Sequence, residues 1–485
     1  MGAESGLGLG LSHSKDANFE QWYTEVVVKG EMIEFYDITG CYILRPWAMS
    51  IWEIMQESSF FDVEIRKMNV KNCYFPLLLT QKEKNNLEVV SVARSGDSVL
   101  EQPIAIRTTS ETIIYPYFSK LVRTHRDLPL RLNQWCNVVR WESSPMPFIR
   151  SREFLWQEGH TAFATKEEAY AEVLDILELY RRIYEEFLAV PVIKGKKSEH
   201  QKFAGGLYTA TAEAFVPNSG RSVQGATSHC LGQNFAKMFT ICFDDGKGEK
   251  ALVWQNSWAY TTRTIGVMTM VHGDDKGLVL PPKVASLQVI VVPVPDKDAD
   301  DTRLIFDACA STVKSLNEAG IRAEADCNDS NSAEWKCSHW EMKGVPLRIE
   351  IGPKDLANNT ARAVRRDNSS TSDIPMADLV EQVKAMLDNI QQNLFDAAKR
   401  KRDACIQIVN TWEEFAEALS QKKMILAPWC DKEEVEEDVM TRTKGEMGAA
   451  KSLCSPFEQP ALPEGTLCFA SGEPATKWTY WGRSY

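Results

Sequence analysis

The sequence predicts an α+β unit built on an antiparallel sheet, then an α/β unit, then a small α+β unit at the C-terminal end. Three observations carry this. Residues 131–152 read as an extended strand ending at Arg140 and Glu142 and a turn containing Pro145 and Pro147, and a return strand runs through Glu153, Phe154, Trp156, Glu158 and His160. That is an antiparallel hairpin. From Ser286 onward strand-like and helix-like segments alternate, the pattern of an α/β layer, and the break between the two regimes falls around Leu278 to Pro282.

A chain of 485 residues is too long for one core. Its 44% hydrophobic and 25% charged content is ordinary for a globular protein. No apolar run approaches a membrane span, and Met1 to Ser14 is rich in Gly and Ser rather than a signal peptide, so the cytosol is the expected compartment. The net charge of −12 neither supports nor excludes RNA, because screening confines each charge to about 10 Å and a basic groove can coexist with acidic faces. Twelve cysteines without a C-x2-C pair suggest buried free thiols rather than a disulfide framework.

In order along the chain, residues 1–18 are expected to be a flexible segment. Trp47, Ile51, Met55 and Phe60 give helical spacing over Arg45 to Phe61, and Val70 to Leu79 reads as a strand whose Pro76 demands an edge or an interface. Thr165 to Val190 is an amphipathic helix with its stripe at Ala169, Val173, Ile176, Tyr180, Ile183 and Phe187. Gln255 to Met268 leads through Arg263 into a helix rich in small residues. The α/β unit follows, with strands at Ser286–Pro293, Ile321–Ala325 and Leu347–Ile351 and a helix over Leu304–Ala319. A polar helix over Ile374–Lys401 ends in a Lys-Arg-Lys-Arg run that the helix dipole alone would explain. A helix near Trp412–Leu419 and the aromatic tail Trp478–Trp481 belong to the last unit. The expected domains are therefore 19–283, 284–402 and 403–485.

Arginines projected from two antiparallel strands onto one face offer planar forks matched to phosphate oxygens, although surface arginines in salt bridges would read the same way. Two further segments favour phosphate. They are Arg107-Thr108-Thr109-Ser110-Glu111-Thr112 and the Gln255 to Met268 stretch with Arg263.

With Asn72-Cys73-Tyr74-Phe75-Pro76, these segments resemble the three signature motifs of class II aminoacyl-tRNA synthetases. Gly40 to Trp47, Leu132 to Glu142, Gln224 to His229 and Gly482 to Tyr485 narrow the resemblance to the eukaryote-like and archaeal branch of prolyl-tRNA synthetases. It runs from about Phe19 to Tyr485. The resemblance implies a class II catalytic domain, an anticodon-binding domain and a C-terminal zinc-binding-like domain. It also implies a homodimer through the first motif, with proline, ATP and tRNA-Pro as substrates and neither membrane nor DNA as a partner. The interval between the hairpin and the third motif is too short for the extra editing domain of bacterial-type relatives.

Carried over residue by residue, the family pattern gives Arg140 the α-phosphate and the substrate carboxylate, and gives Arg150 and Arg263 the outer phosphates. Arg140 and Arg263 are the expected catalytic pair. Magnesium would accompany ATP, with Glu142 and Glu153 as contacts to adenine or metal, Phe154 stacking on adenine, Gln224 as a ribose or phosphate contact and Thr261 near the ribose end. For the amino acid the pattern nominates Thr109, Glu111, Arg140, Trp156, Glu158, His160, Phe203, Thr227 and His229. Glu111 or Glu158 would meet the secondary ammonium of proline, and Trp156, Phe203 and His229 would close around its ring. Trp156 could equally be core and His229 a structural histidine, and Gly205, Gly206 and Gly225 could be turns. Glu350, Lys354, Arg365 and Arg366 resemble anticodon-reading residues, with an ordinary ion-pair cluster as the bland alternative.

The sequence departs from the family in three places. Cys430 and Cys468 stand where relatives have two cysteine pairs, the partner positions hold Val435 and Ala470, and two thiolates cannot close a tetrahedral zinc site, so no zinc is expected. Thr108 replaces a proline usual in the family, and Gln81–Val92 looks short for a loop near the substrate. A catalytically silent RNA-binding or regulatory paralogue is the rival reading. It should lack one of Arg140, Arg150, Arg263, Glu111 or Glu158, and all five are present.

Overall fold

The computed structural model describes residues 10–58, 60–80, 89–295 and 302–485. Part of the short loop noted above, residues 81–88, lies outside them. Among the described residues, eleven strands form one sheet: β1 (Lys71–Asn72), β2 (Leu130–Val139), β3 (Glu153–Phe163), β4 (Val192–Lys196), β5 (Tyr208–Val216), β6 (Arg221–Gly232), β7 (Trp254–Thr261), β8 (Ile406–Ile408), β9 (Met424–Trp429), β10 (Lys451–Pro456) and β11 (Lys477–Ser484). Their spatial order is β8-β9-β11-β10-β4-β5-β6-β7-β3-β2-β1. The stretch from β10 to β2 is antiparallel throughout, as the hairpin predicts.

The helices include α1 (Glu111–Leu121), α2 (Lys166–Arg182), α3 (Arg263–His272) and, in the α/β unit, α4 (Leu379–Ala404), of which α1 and α3 bring residues to the cavity. Helix α2 starts at Thr165, whose hydroxyl accepts from the Glu168 amide while Glu168 reaches back to the cap. Its stripe of Ala169, Val173, Ile176 and Tyr180 is buried against the sheet. The helix expected through Val190 stops being α at Arg182 and continues as a wider π turn over Ile183–Phe187. The expected helix over Arg45–Phe61 likewise divides into Pro46–Glu53, a π turn at Ile54–Ser58 and a separate helix Phe61–Lys67.

The expected strand Val70–Leu79 is broken. Only β1 pairs with β2, and Leu78–Thr80 pairs instead with residues 104–106. The reason lies at Phe75 and Pro76. Proline has no N–H for a ladder, and the Arg107 guanidinium takes the carbonyls of both residues.

In the α/β unit, Ala323–Ala325, Val289–Pro293 and Leu347–Ile351 are parallel neighbours, and Thr360–Arg365 and Thr371–Pro375 add antiparallel strands. Ile374 belongs to that last strand rather than to α4, which begins at Leu379. The C-terminal unit does not stand apart from the first: β10 pairs with β4, and β11 touches β6 in parallel. The boundary near residue 403 is therefore one of sequence, not of hydrogen bonding.

Residues 10–18 also correct the expected flexible segment. Lys15 donates to the carbonyls of Val271 and Gly273, its amide donates to Asp275, and its buried ammonium lies over the Trp22 ring at 4.8 Å. Burial lowers its pKa to about 7.

Gly159 sits opposite Trp258 between β3 and β7. A Cβ on Gly159 would lie 2.2 Å from the indole, which itself packs against Phe61. Gly159→Ala is expected to lower stability by about 1–3 kcal/mol through overpacking. A thermal or urea midpoint unchanged from wild type would show that the indole can step aside.

Candidate active site

Alternate residues of a strand share a face, so the registers decide which side chains meet. Two rows cross four strands: His160, Ser257, His229 and Thr209, and beside it Glu158, Ala259, Thr227 and Thr211. Over this floor lies a cavity of about 1120 Å³. It brings together Thr109 and Glu111 at the start of α1, Arg140 just past β2, and Phe154, Trp156, Glu158 and His160 along β3. Phe203, Gln224, Thr227, His229, Thr261 and Arg263 complete the set. Three nominated residues, Glu142, Arg150 and Glu153, do not line it. Arg150 pairs with Glu142 at 3.4 Å, and Glu153 accepts from the Asn137 amide at 2.8 Å, next in sequence to the lining residues Trp141 and Phe154.

At one end Glu158 is fully buried. Its Oε2 lies 3.0 Å from His160 Nε2, while Ser110 Oγ and Gln134 Nε2 both donate to Oε1. Burial pushes the Glu158 carboxyl up, but the hydrogen bond and charge of His160, with Ser110 and Gln134, more than offset it and hold the group below its ordinary value. For His160 burial pulls down and Glu158 more than compensates, so its pKa is raised. Both shifts favour the charged pair of carboxylate and imidazolium. Glu111 stands across from it, accepting from the Thr109 hydroxyl.

His229 is different in kind. Burial, then the positive charges of His160 and Arg140, depress it to about 3, so near neutral pH it is an uncharged ring. It bonds Thr209 Oγ1 at 2.8 Å and packs 4.7 Å from the Phe203 ring. With Trp156 these rings make an apolar wall.

Arginines occupy the other end. The Arg140 guanidinium is open to water in the cavity yet enclosed by protein. It lies 5.5 Å from the Phe154 ring and 5.3 Å from the Trp156 ring, and its Nε donates to Thr108 O at 3.1 Å. Burial lowers its pKa against the pull of Glu111, Glu158 and Glu142. Arg263, the first residue of α3, donates to the carbonyls of Ile149 and Gln224, and burial brings it to about 10, still a cation near pH 7. Gly205 has φ +83° and does serve a turn, whereas Gly225 lies inside β6, where a Cβ would meet the Tyr184 ring at 2.7 Å.

Sequence reasoning missed the supports: Ser110, Gln134, Thr209 and Tyr115, whose hydroxyl is 3.0 Å from His160 Nδ1. Tyr115 was findable, since it lies one helical turn from Glu111 on the same face of α1.

In the α/β unit, Glu350 accepts from Arg348 at 2.8 Å, Lys354 is exposed, and Arg365 forks onto Asp367 with a further bond to Asn389. Arg366 is corrected. Its side chain is 3% exposed, forked at 2.7 and 2.6 Å onto Asp274 just beyond α3, and bonded to Glu341 O. It clamps the two units together and has no donor face to turn outward.

Residues 97–272 match the family described as tRNA synthetase class II core domain (G, H, P, S and T), residues 288–386 the anticodon binding domain, and residues 412–485 the prolyl-tRNA synthetase C-terminal domain. The chain is 70% identical to a cytoplasmic proline–tRNA ligase of Arabidopsis thaliana, over 99% of this chain and 91% of the relative. It is 44% identical to a proline–tRNA ligase of Encephalitozoon cuniculi, over 98% and 99%. It is 49% identical to a bifunctional glutamate/proline–tRNA ligase of Mus musculus, over 100% of this chain and 34% of that relative.

Proposed function

The chain belongs to the prolyl-tRNA synthetase family, and from that premise we propose that it activates L-proline with ATP and transfers the prolyl group to the 3′ end of tRNA-Pro. The observation that carries this is the division of charge in one cavity: the buried carboxylates of Glu111 and Glu158 stand beside an apolar wall, and the guanidiniums of Arg140 and Arg263 line the same space. A silent paralogue would be expected to break that division. The compartment is the cytoplasm, as named for the Arabidopsis relative; among the described residues no helix is long and apolar enough to cross a membrane.

The reaction is attack of the proline carboxylate on the α-phosphorus, with pyrophosphate leaving, so the protein's work is positioning and charge stabilisation. Glu158 is already paired with His160, which leaves Glu111 to meet the secondary ammonium. Trp156, Phe203 and neutral His229 enclose the ring, with Thr109 and Thr227 beside it. Arg140 reaches both the substrate carboxylate and the α-phosphate, and the preorganised guanidinium costs no rearrangement as charge moves. Arg263 and Arg150 hold the outer phosphates, Phe154 stacks on adenine, and Gln224 and Thr261 border the ribose.

Magnesium would accompany ATP, and of the two glutamates Glu142, paired with Arg150, is the carboxylate that stands beside a phosphate-binding arginine, whereas Glu153 shares the strand parity of Leu155 and Gln157 and is turned to Asn137. The ion's chemistry when bound would be to neutralise charge on the leaving pyrophosphate. Zinc does not suit the C-terminal unit. Cys430 and Cys468 sit in an apolar cluster with Val435 and Phe469, and Cys430 Sγ is 3.7 Å from Ser471 Oγ. Less than one zinc per chain is expected by elemental analysis, and a stoichiometric ion lost on Cys430→Ala would reverse the assignment.

For tRNA, Glu350, Lys354 and Arg365 remain the anticodon-facing set, with Arg365 exchanging Asp367 for RNA. For assembly, β1 is the sheet edge, and Tyr74 (71%) and Leu78 (51%) beside it are exposed. That favours a homodimer, and a one-chain mass by light scattering would remove it.

Arg140→Ala is expected to lower proline-dependent exchange of pyrophosphate into ATP by about 100- to 1000-fold with the fold intact. Near-normal exchange would displace Arg140 from the reaction. The same assay tests selectivity. Residues 164–253 form only α2, β4 to β6 and short elements packed on them, with no separate unit to hydrolyse errors. Alanine and cysteine lose only the contacts of one or two methylenes, worth about 10- to 200-fold. Both are expected to be activated measurably, and discrimination beyond about 10,000-fold against each would overturn the size argument.

A further inference from the structure

Tyr115 lies outside the cavity lining and is fully buried behind it, on α1, with its ring edge-on to His160 at 5.5 Å and 76°. His160 as an imidazolium has two N–H donors and needs two acceptors. Glu158 Oε2 takes Nε2–H at 3.0 Å, and the only oxygen that meets Nδ1 among the described residues is the Tyr115 hydroxyl at 3.0 Å. Resting on the proline-activating reading above, we propose that Tyr115 is a positioning residue: by accepting from Nδ1–H it holds His160 charged and aimed at Glu158. Glu158 is thereby neutralised and Glu111 is left as the carboxylate that selects the substrate's cationic nitrogen.

The surroundings of His160 support this division. Glu158 faces it from its own strand, Glu111 and Tyr115 from α1, and neutral His229 from β6, while its register partners Ser257 and Leu132 carry no charge. Without the imidazolium, Glu111 and Glu158 would be two buried carboxylates around one ligand cation, and like charges in one site drive one of them to take up a proton. Burial with the added charge of Glu111 and Glu158 also pushes the Tyr115 phenol well above its ordinary range, so it stays a neutral hydroxyl wherever His160 titrates. The sign follows. His160 is raised, so the pair is complete at low pH and is lost as pH rises through the His160 value. Glu158 is depressed, so the acid limit comes only below the ordinary carboxylate range.

The test is Tyr115→Phe in the full chain, which removes one oxygen and keeps the ring. A hydrogen bond to a charged group is worth about 10- to 100-fold in equilibrium, so the His160 pKa should fall by about one unit or more. It is read by NMR of ring-labelled histidine, with the His160 signal among the seven histidines identified as the one missing in His160→Asn. In pyrophosphate exchange the alkaline limb of kcat/KM for proline should move down by the same amount. KM for proline should rise roughly 10-fold at alkaline pH, with KM for ATP unchanged. In a His160→Asn background the substitution should add nothing further to KM for proline.

An unmoved His160 pKa, equal loss on proline and ATP, or additive effects with His160→Asn would overturn the proposal. Should Tyr115→Phe fail to fold, Tyr115→Leu, which also removes the oxygen that meets Nδ1 and leaves an apolar side chain at the same depth, replaces it under the same criteria. Absence of proline-dependent exchange in the wild type would instead sink the parent reading, and the NMR arm would still decide the role of Tyr115.

Discussion

The site depends on a single constraint, the register of β3 against β7. Glu158 opposite Ala259 and His160 opposite Ser257 put Phe154, Trp156, Glu158 and His160 of β3 on the cavity face. A slip by one residue would turn that whole set into the core and expose Gln157 and Gly159 in its place. The register is fixed from the other side of the sheet, where the Trp258 indole occupies the space a side chain on Gly159 would need and is itself held by Phe61 and the aromatic cluster around Tyr180 and Tyr260. The apolar side thus decides the polar side.

Given that register, the cost of the site is electrostatic. Two carboxylates, an imidazolium and two guanidiniums sit where water is scarce, and each needs a partner before substrate arrives. Glu158 has three donors, Arg263 has two backbone carbonyls, and Arg140 has one carbonyl with two aromatic faces. What remains unpaired points into the cavity. Such groups are ordered in advance, so little reorganisation is left for the reaction step.

Much of this was legible in the sequence, and the parts that were not share a cause. The hairpin, the α2 stripe and the α/β alternation are local signals, written in residues two to four apart, and the structure follows them. The break in the expected strand at Pro76 comes from Arg107, about thirty residues away, and the continuity of β10 with β4 joins segments separated by most of the chain. Arg366 was misread for the same reason: a basic residue beside a strand looks like an RNA contact until Asp274 is found beneath it. Glu111 and Arg140 were placed in the cavity by pattern, whereas of the second rank only Tyr115 could have been reached, by helical spacing from Glu111, and the roles of Ser110 and Gln134 against Glu158 are visible only in three dimensions.

Arg107 shows how far that second rank extends. It is fully buried, and its Nη1 donates to the carbonyls of Phe75 and Pro76 while Nη2 donates to Asn137 O. Its backbone pairs with Leu77 on one side and Val139 on the other. Carbonyl dipoles rather than a carboxylate satisfy the charge, so the guanidinium holds only while those three strands of chain stay where they are. Two residues on come Thr109 and then Glu111; one residue past Val139 comes Arg140. A single buried cation therefore ties the exposed edge at Tyr74 and Leu78 to the two groups that hold the opposite ends of the amino acid, Glu111 for its nitrogen and Arg140 for its carboxylate. The distance between those groups is set by the edge of the sheet as much as by its floor.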